Sequence, residues 1–192
     1  MRAAFLGCLI LMAEATHAQF GGNNTATYPA REFSRDALLN RAKAFVMNDV
    51  LGKSNGSIRF ELDPQTATKP GDLSALVYKC EAQNKEGLLL GFFGDRQTNG
   101  VVSSAYGFRN LPKTKALELI DKIETTLDEQ GRFILRDPED NNVYFAYEDV
   151  TFLIYNTGAA RRIRIFWNNF DAEWDLATLR RVEARFNRKA NK

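Results

Sequence analysis

The residues of this chain that could carry chemistry are few. Among 192 residues there is one histidine, His17, and there are two cysteines, Cys8 and Cys80. A Ser-His-Asp or Cys-His arrangement needs an imidazole beside the nucleophile, and zinc, copper and non-haem iron sites draw on histidine above all. The sequence holds no Walker loop, dinucleotide-binding glycine fingerprint or GxSxG elbow. Carboxylates remain, concentrated in Asp137-Pro138-Glu139-Asp140 and Asp171-Ala172-Glu173-Trp174-Asp175. Two carboxyl groups facing each other across a cleft can act as general acid and base on a glycosidic bond. The simpler reading makes the first stretch a solvated turn and has Asp171 or Asp175 cap a helix, with the other carboxylates favouring its N-terminal dipole. Asp171, Glu173 and Asp175 alternate as at the start of an EF-hand loop, but Leu176 and Val182 stand where glycine and the bidentate glutamate are needed, which rejects that motif. A looser calcium site at Asp137, Asp140 and Asn142 competes with a plain turn. No catalytic residue, metal or cofactor is assigned from these patterns.

The stretch Arg161-Arg162-Ile163-Arg164-Ile165-Phe166-Trp167 is more specific. Read as a strand, it puts Ile163, Ile165 and Trp167 on one side and Arg162, Arg164 and Phe166 on the other. An arginine-aromatic face is a recognition surface for planar anions or exposed bases. The plainer account is an outer sheet face whose arginines pair with the acidic stretch preceding it. Trp167 and Trp174 suit core and helix-docking positions, and a carbohydrate platform is the sharper alternative. The candidate ligand-binding set is therefore Arg162, Arg164, Phe166 and Trp174.

The amino terminus reads as an address. Arg2 precedes an apolar run of eleven residues, Ala3 to Ala13. That length fits a secretory leader, since a spanning helix needs about 20 residues. Small residues then offer cleavage after Ala15 or, preferably, after Ala18. Cys8 does not end the apolar run, so it does not fit a lipoprotein anchor. Cleavage after Ala18 leaves no histidine and a single cysteine, Cys80. Leu76, Tyr78 and Ala82 share its strand parity, so Cys80 reads as a small buried hydrophobe. Asn23 and Asn55 begin glycosylation sequons, relevant only in a cell that glycosylates.

Elements can be placed by periodicity. Residues 19–31 form a flexible leader and residues 32–192 a single domain. A helix from Ser34 to Leu51 is predicted, ended by Gly52, with Leu38, Ala42, Phe45 and Asp49 along one side. Strands follow at Ile58–Leu62, Leu76–Ala82, Leu88–Phe93 and Val101–Phe108, with turns at Asn84–Gly87 and Asp95–Gly100. Pro112 opens a second helix, with Ala116, Ile120, Ile123 and Leu127 inward, and Gly131 closes it. Further strands are anchored by Phe133 and Leu135, by Val143, Phe145 and Tyr147, by Val150–Tyr155, and by Ile163, Ile165 and Trp167. A last helix starts near Asp171 or Asp175, with Leu176, Leu179, Val182 and Phe186 inward and Arg180, Arg181, Arg185 and Arg188 in water. The expectation is an α+β fold: a curved antiparallel sheet packed by helices, divisible into two helix-plus-four-strand units, 32–108 and 112–168, with a C-terminal helix. This order resembles cystatin-like and TATA-binding-protein-like sheets gripping helices, a resemblance of fold alone.

Charge points the same way as the missing chemistry. The net charge of +2 is too small for a general nucleic-acid binder. Residues 112–150 hold five basic and ten acidic side chains, and residues 159–192 hold nine basic and four acidic. Such asymmetry suits attraction within the fold or between copies, or an anionic partner. The expected function is an exported, secreted or periplasmic, non-enzymatic binding or protein-interaction module. Its partner would be a protein or an anionic small ligand or glycan, with no nucleic acid and no membrane span. The alternatives are a carboxylate-based hydrolase acting on glycans and an assembly protein that forms oligomers through its acidic and basic surfaces.

Overall fold

The computed structural model describes residues 34–68, 72–98, 101–138, 140–158 and 160–188. The leader, its cleavage sites, His17, Cys8 and the Asn23 sequon lie outside the described residues. From Arg35 onward the chain forms one compact unit. Helix α1 (Arg35–Phe45) runs into a π turn (Val46–Leu51). Strands β1 (Glu61–Pro64), β2 (Ala75–Cys80), β3 (Lys85–Thr98) and β4 (Val101–Pro112) follow, then α2 (Lys113–Arg136). Strands β5 (Val143–Tyr147), β6 (Val150–Thr157), β7 (Ala160–Trp167) and β8 (Phe170–Asp175) lead into α3 (Leu176–Asn187). The strands form two antiparallel sheets, ordered β1-β2-β3-β4 and β5-β6-β7-β8. The α+β class, the two helix-plus-four-strand units and the C-terminal helix are all present as expected.

Register shows how one core serves both sheets. Val77 pairs with Leu88, and Leu88 with Leu111, so these side chains share a face with Ala75, Leu90 and Phe92. That face joins Leu119 and Ile123 of α2, Val182 and Phe186 of α3, and Phe152, Ile165 and Trp174 of the second sheet in one buried cluster. Each large apolar side chain so buried contributes about 1.5–3 kcal/mol. The opposite face of the first sheet carries Leu76, Tyr78, Cys80 and Leu89, all buried. Helix α1 lies over it: the Phe45 ring sits 5.5 Å from Phe108, and Arg41 stands 4.5 Å over the Tyr106 ring. Burial on both faces explains the unbroken Leu88-Leu89-Leu90 run. It also means that Val77, which alternates with Leu76 and Tyr78 in β2, is fully buried. Cys80 is a free, buried thiol.

Several boundaries differ from the sequence reading. The stripe on α1 runs Leu38, Ala42, Val46 and then Leu51, because the π turn adds a residue to the last step. Ile58 and Phe60 precede β1, and Pro64 closes it on an edge strand, where a missing donor is tolerated. The turn after β2 falls at Glu81–Gln83, with left-handed Asn84 (φ 51°) ending it, so Lys85–Gly87 already belong to β3. Asp95–Thr98 likewise belong to β3 and not to a turn. Helix α2 does not stop at Gly131: Ile134 continues its buried stripe, and Phe133 and Leu135 flank it as helical residues instead of anchoring a strand. The fourth strand of the second unit is instead β8, in the stretch read as the start of the last helix. That helix begins after Asp175, whose Oδ1 accepts from the Thr178 backbone N–H at 2.7 Å. Arg185, expected in water, is largely buried and pairs with Glu61 and Asp63 at 2.6 and 3.2 Å.

Gly131 yields a first prediction. A Cβ there would meet only the Arg161 guanidinium, at 3.8–3.9 Å, an ordinary contact. Glycine inside a helix is less favourable than alanine by about 0.5–1 kcal/mol. Gly131→Ala is therefore expected to raise the urea midpoint by an amount equivalent to about 0.5–1 kcal/mol, and a lower midpoint would refute it.

Candidate functional site

The second sheet has one face in the core and one outside. Alternation along its strands puts Tyr144, Leu153, Tyr155, Arg162, Arg164, Phe166, Asp171 and Glu173 on the outer face. Register sets Tyr144 beside Leu153, Leu153 beside Arg164 and Arg164 beside Glu173. Tyr144 is 76% exposed and Phe166 40%. The other residues of this face are half-buried or exposed. Three of the four sequence-derived candidates, Arg162, Arg164 and Phe166, therefore share this surface. Trp174 does not: it pairs with Ile163 on the inner face and is fully buried.

The arginines are already partnered. Arg164 donates to Asp171 at 2.6 Å through Nε, and Arg162 lies 3.8 Å from Glu173. Tyr155 donates its hydroxyl to Glu173 at 2.8 Å. Burial, and next this bond to an anion, raise the Tyr155 pKa and hold the phenol protonated. The partners are thus carboxylates one strand away on β8, not the acidic stretch before β7. Local pairing weakens the pull of these arginines on a free anion.

Two concavities adjoin this face, and Asp171 borders both. One, of about 350 Å³, lies where β8 meets the first sheet and is lined by Arg164, Glu173, Phe93 and Ser74 among others. The other, of about 520 Å³, surrounds the β7–β8 turn. Phe166, Trp167 and Phe170 line it, with Asp149 and Thr151. The turn residues Asn168 and Asn169 complete it, both with positive φ (47° and 66°), as a two-residue type I′ hairpin requires.

Asp149 is the anchored group of this groove. Its carboxylate accepts from Arg109 Nε at 2.7 Å and from Trp167 Nε1 at 2.9 Å. Burial works against the anion, but the hydrogen bonds outweigh it and hold the carboxyl below the usual aspartate range. Arg109 also donates to Glu148 at 2.8 Å, so one guanidinium on β4 holds the β5–β6 turn and fixes one wall of the groove. Sequence reasoning missed Asp149, Asn168, Asn169 and Phe170. The signal available was Asn-Asn between two apolar strand ends, a type I′ turn signature.

No family model, curated protein or solved structure matches this chain. Among the described residues, no group of three or more His, Cys, Asp or Glu side chains is placed to hold a metal ion. Asp137, Asp140 and Asn142 form a turn, in which Asn142 donates to the Asp140 carbonyl at 2.9 Å. No helix among the described residues is long and apolar enough to cross a membrane.

Proposed function

We propose that this chain is a non-enzymatic binding module, working outside the cytoplasm, whose protein partner docks on the outer face of β5–β8. The observation that carries the reading is the exposure of Tyr144 and Phe166 on a sheet face bearing Leu153 and paired charges of both signs. Aromatic anchors ringed by polar groups are the usual composition of an interaction surface. The roles of the carboxylates support it too. Asp149 and Asp171 are held by arginines, and Asp175 caps α3, so each has a structural task. Export rests on the leader sequence.

The test is site-specific photo-cross-linking in the cell of origin, with the reactive residue at position 144 or, as a control, at exposed position 181 on α3. A discrete adduct is expected from 144 alone, and Leu153→Asp should abolish it while the fold persists by circular dichroism. Equal adducts from both positions, or none, would refute the reading. An adduct at twice the chain mass would replace the foreign partner by a second copy, in favour of assembly.

A further inference from the structure

We infer that the groove at the β7–β8 turn binds a neutral, polyhydroxylated ligand, a glycan. The inference rests on the reading of this side of the molecule as a binding surface and names a ligand class for one part of it. Three features of the lining select the class. First, among the described residues no lysine or arginine lines the groove, and its two carboxylates, Asp149 and Asp171, are each neutralised by an arginine outside it. The groove thus offers little to a free anion, and its carboxylates are less available to a free cation. A hydroxyl group suits it, because hydroxyls both donate to carboxylates and accept from amides.

Second, the turn carries two exposed amides. Both positions are asparagine, which tolerates the positive φ of the turn and places an amide at each. Neither Asn168 nor Asn169 spends its side chain on a hydrogen bond with another described residue. Their donors and acceptors therefore stand free at the rim. Third, aromatic rings flank the groove from the two sides of the hairpin, Phe166 from the outer face and Trp167 and Phe170 from the inner one. Phe166 is 40% exposed, with the Arg164 guanidinium 5.9 Å from its ring centre, and Trp167 is held by its bond to Asp149, with the Phe92 ring 5.3 Å away. The C–H face of a sugar ring is apolar and its rim is hydroxylated, which matches a site of rings flanked by amides and carboxylates. The groove is shallow and open, with a volume of about 520 Å³, so a ligand would lie along it and keep one side in water.

Intrinsic fluorescence reads this site directly. The chain has two tryptophans: Trp174 is fully buried in the core, and Trp167 lines the groove. The intact protein would be titrated to millimolar concentrations with short neutral oligosaccharides of glucose, mannose and N-acetylglucosamine. Oligogalacturonate and spermine serve as anionic and cationic counterparts. A saturable change in emission is expected with at least one neutral series and with neither charged probe. The double variant Asn168→Gly/Asn169→Gly keeps a backbone that tolerates positive φ and removes both amides. It should raise the half-saturating concentration about tenfold, the loss expected from two hydrogen bonds. Its unfolding midpoint should stay close to that of the parent. Phe166→Ala should weaken binding similarly. Silence across the neutral series, binding confined to a charged probe, or an unchanged half-saturation in the glycine variant would overturn the assignment. Cross-linking at position 144 is a separate readout. A failed titration beside a persistent Tyr144-site adduct would remove the glycan and leave the docking face standing.

Discussion

Trp174→Ala is expected to cost about 3–5 kcal/mol of folding free energy, the largest loss of any single substitution considered. The indole is fully buried, in the one cluster shared by both sheets, α2 and α3. A domain of this kind has about 5–15 kcal/mol in total, so the variant should be marginal at ambient temperature. Trp174→Phe should cost far less, about 1–2 kcal/mol. The reason lies in the indole nitrogen: Nε1 is buried without a hydrogen-bond partner, and phenylalanine removes that unpaired donor together with part of the ring. Urea denaturation followed by far-ultraviolet circular dichroism measures both. A phenylalanine variant as unstable as the alanine variant would show that the N–H carries no penalty. Phe166→Ala, on the exposed face, should change stability by no more than about 1 kcal/mol.

The contrast between Trp174 and Phe166 shows what the sequence could and could not tell. Alternation within β7 separated Arg162, Arg164 and Phe166 from Ile163 and Ile165, because a half-buried strand imposes period two on its own residues. Trp174 lies on a different strand, and no pattern internal to β7 assigns its face. Its stretch reads as a helix start, since Asp171 and Asp175 are both good capping residues. Only Asp175 caps, and the alternating Asp171, Glu173 and Asp175 are the wet face of β8. The same limit applies to Phe133 and Leu135. Their two-residue spacing fits a strand as well as the flanks of a helix, and only Ile134, packed in the core, decides for the helix. The groove was hidden for a further reason. It is made where Asp149, from one turn, meets Trp167 and the residues of another, and the sequence separation of those turns carries no local signal.

Glycine gives the sharpest case, because chemically identical substitutions should have opposite signs. Gly91→Ala is expected to destabilise by about 1–3 kcal/mol or more. Gly91 sits in β3 opposite Phe108, and its N–H donates to the Ser74 carbonyl at 3.2 Å. The chain entering β2 crosses directly over it, so that a Cβ at position 91 would lie 2.3 Å from the Leu73 carbonyl oxygen. That oxygen belongs to the backbone and cannot rotate away. Leu73 is buried, and Asp72 pins the segment by accepting from the Ser74 N–H at 2.9 Å. Relief therefore requires moving a fixed stretch of main chain, which would disturb the groove beside Arg164 as well, since Gly91 and Ser74 line it. Gly56→Ala is the matched control: nothing lies within 4 Å of where its methyl group would stand, and the change should stay within about 0.5 kcal/mol. Denaturation midpoints ordered Gly131→Ala above the parent, Gly56→Ala level with it and Gly91→Ala well below would show that what surrounds each Cβ position, not helix or strand propensity alone, sets the sign. A Gly91→Ala variant as stable as the parent would mean that the Leu73 crossing yields, and that the junction between β2 and β3 is looser than its contacts imply.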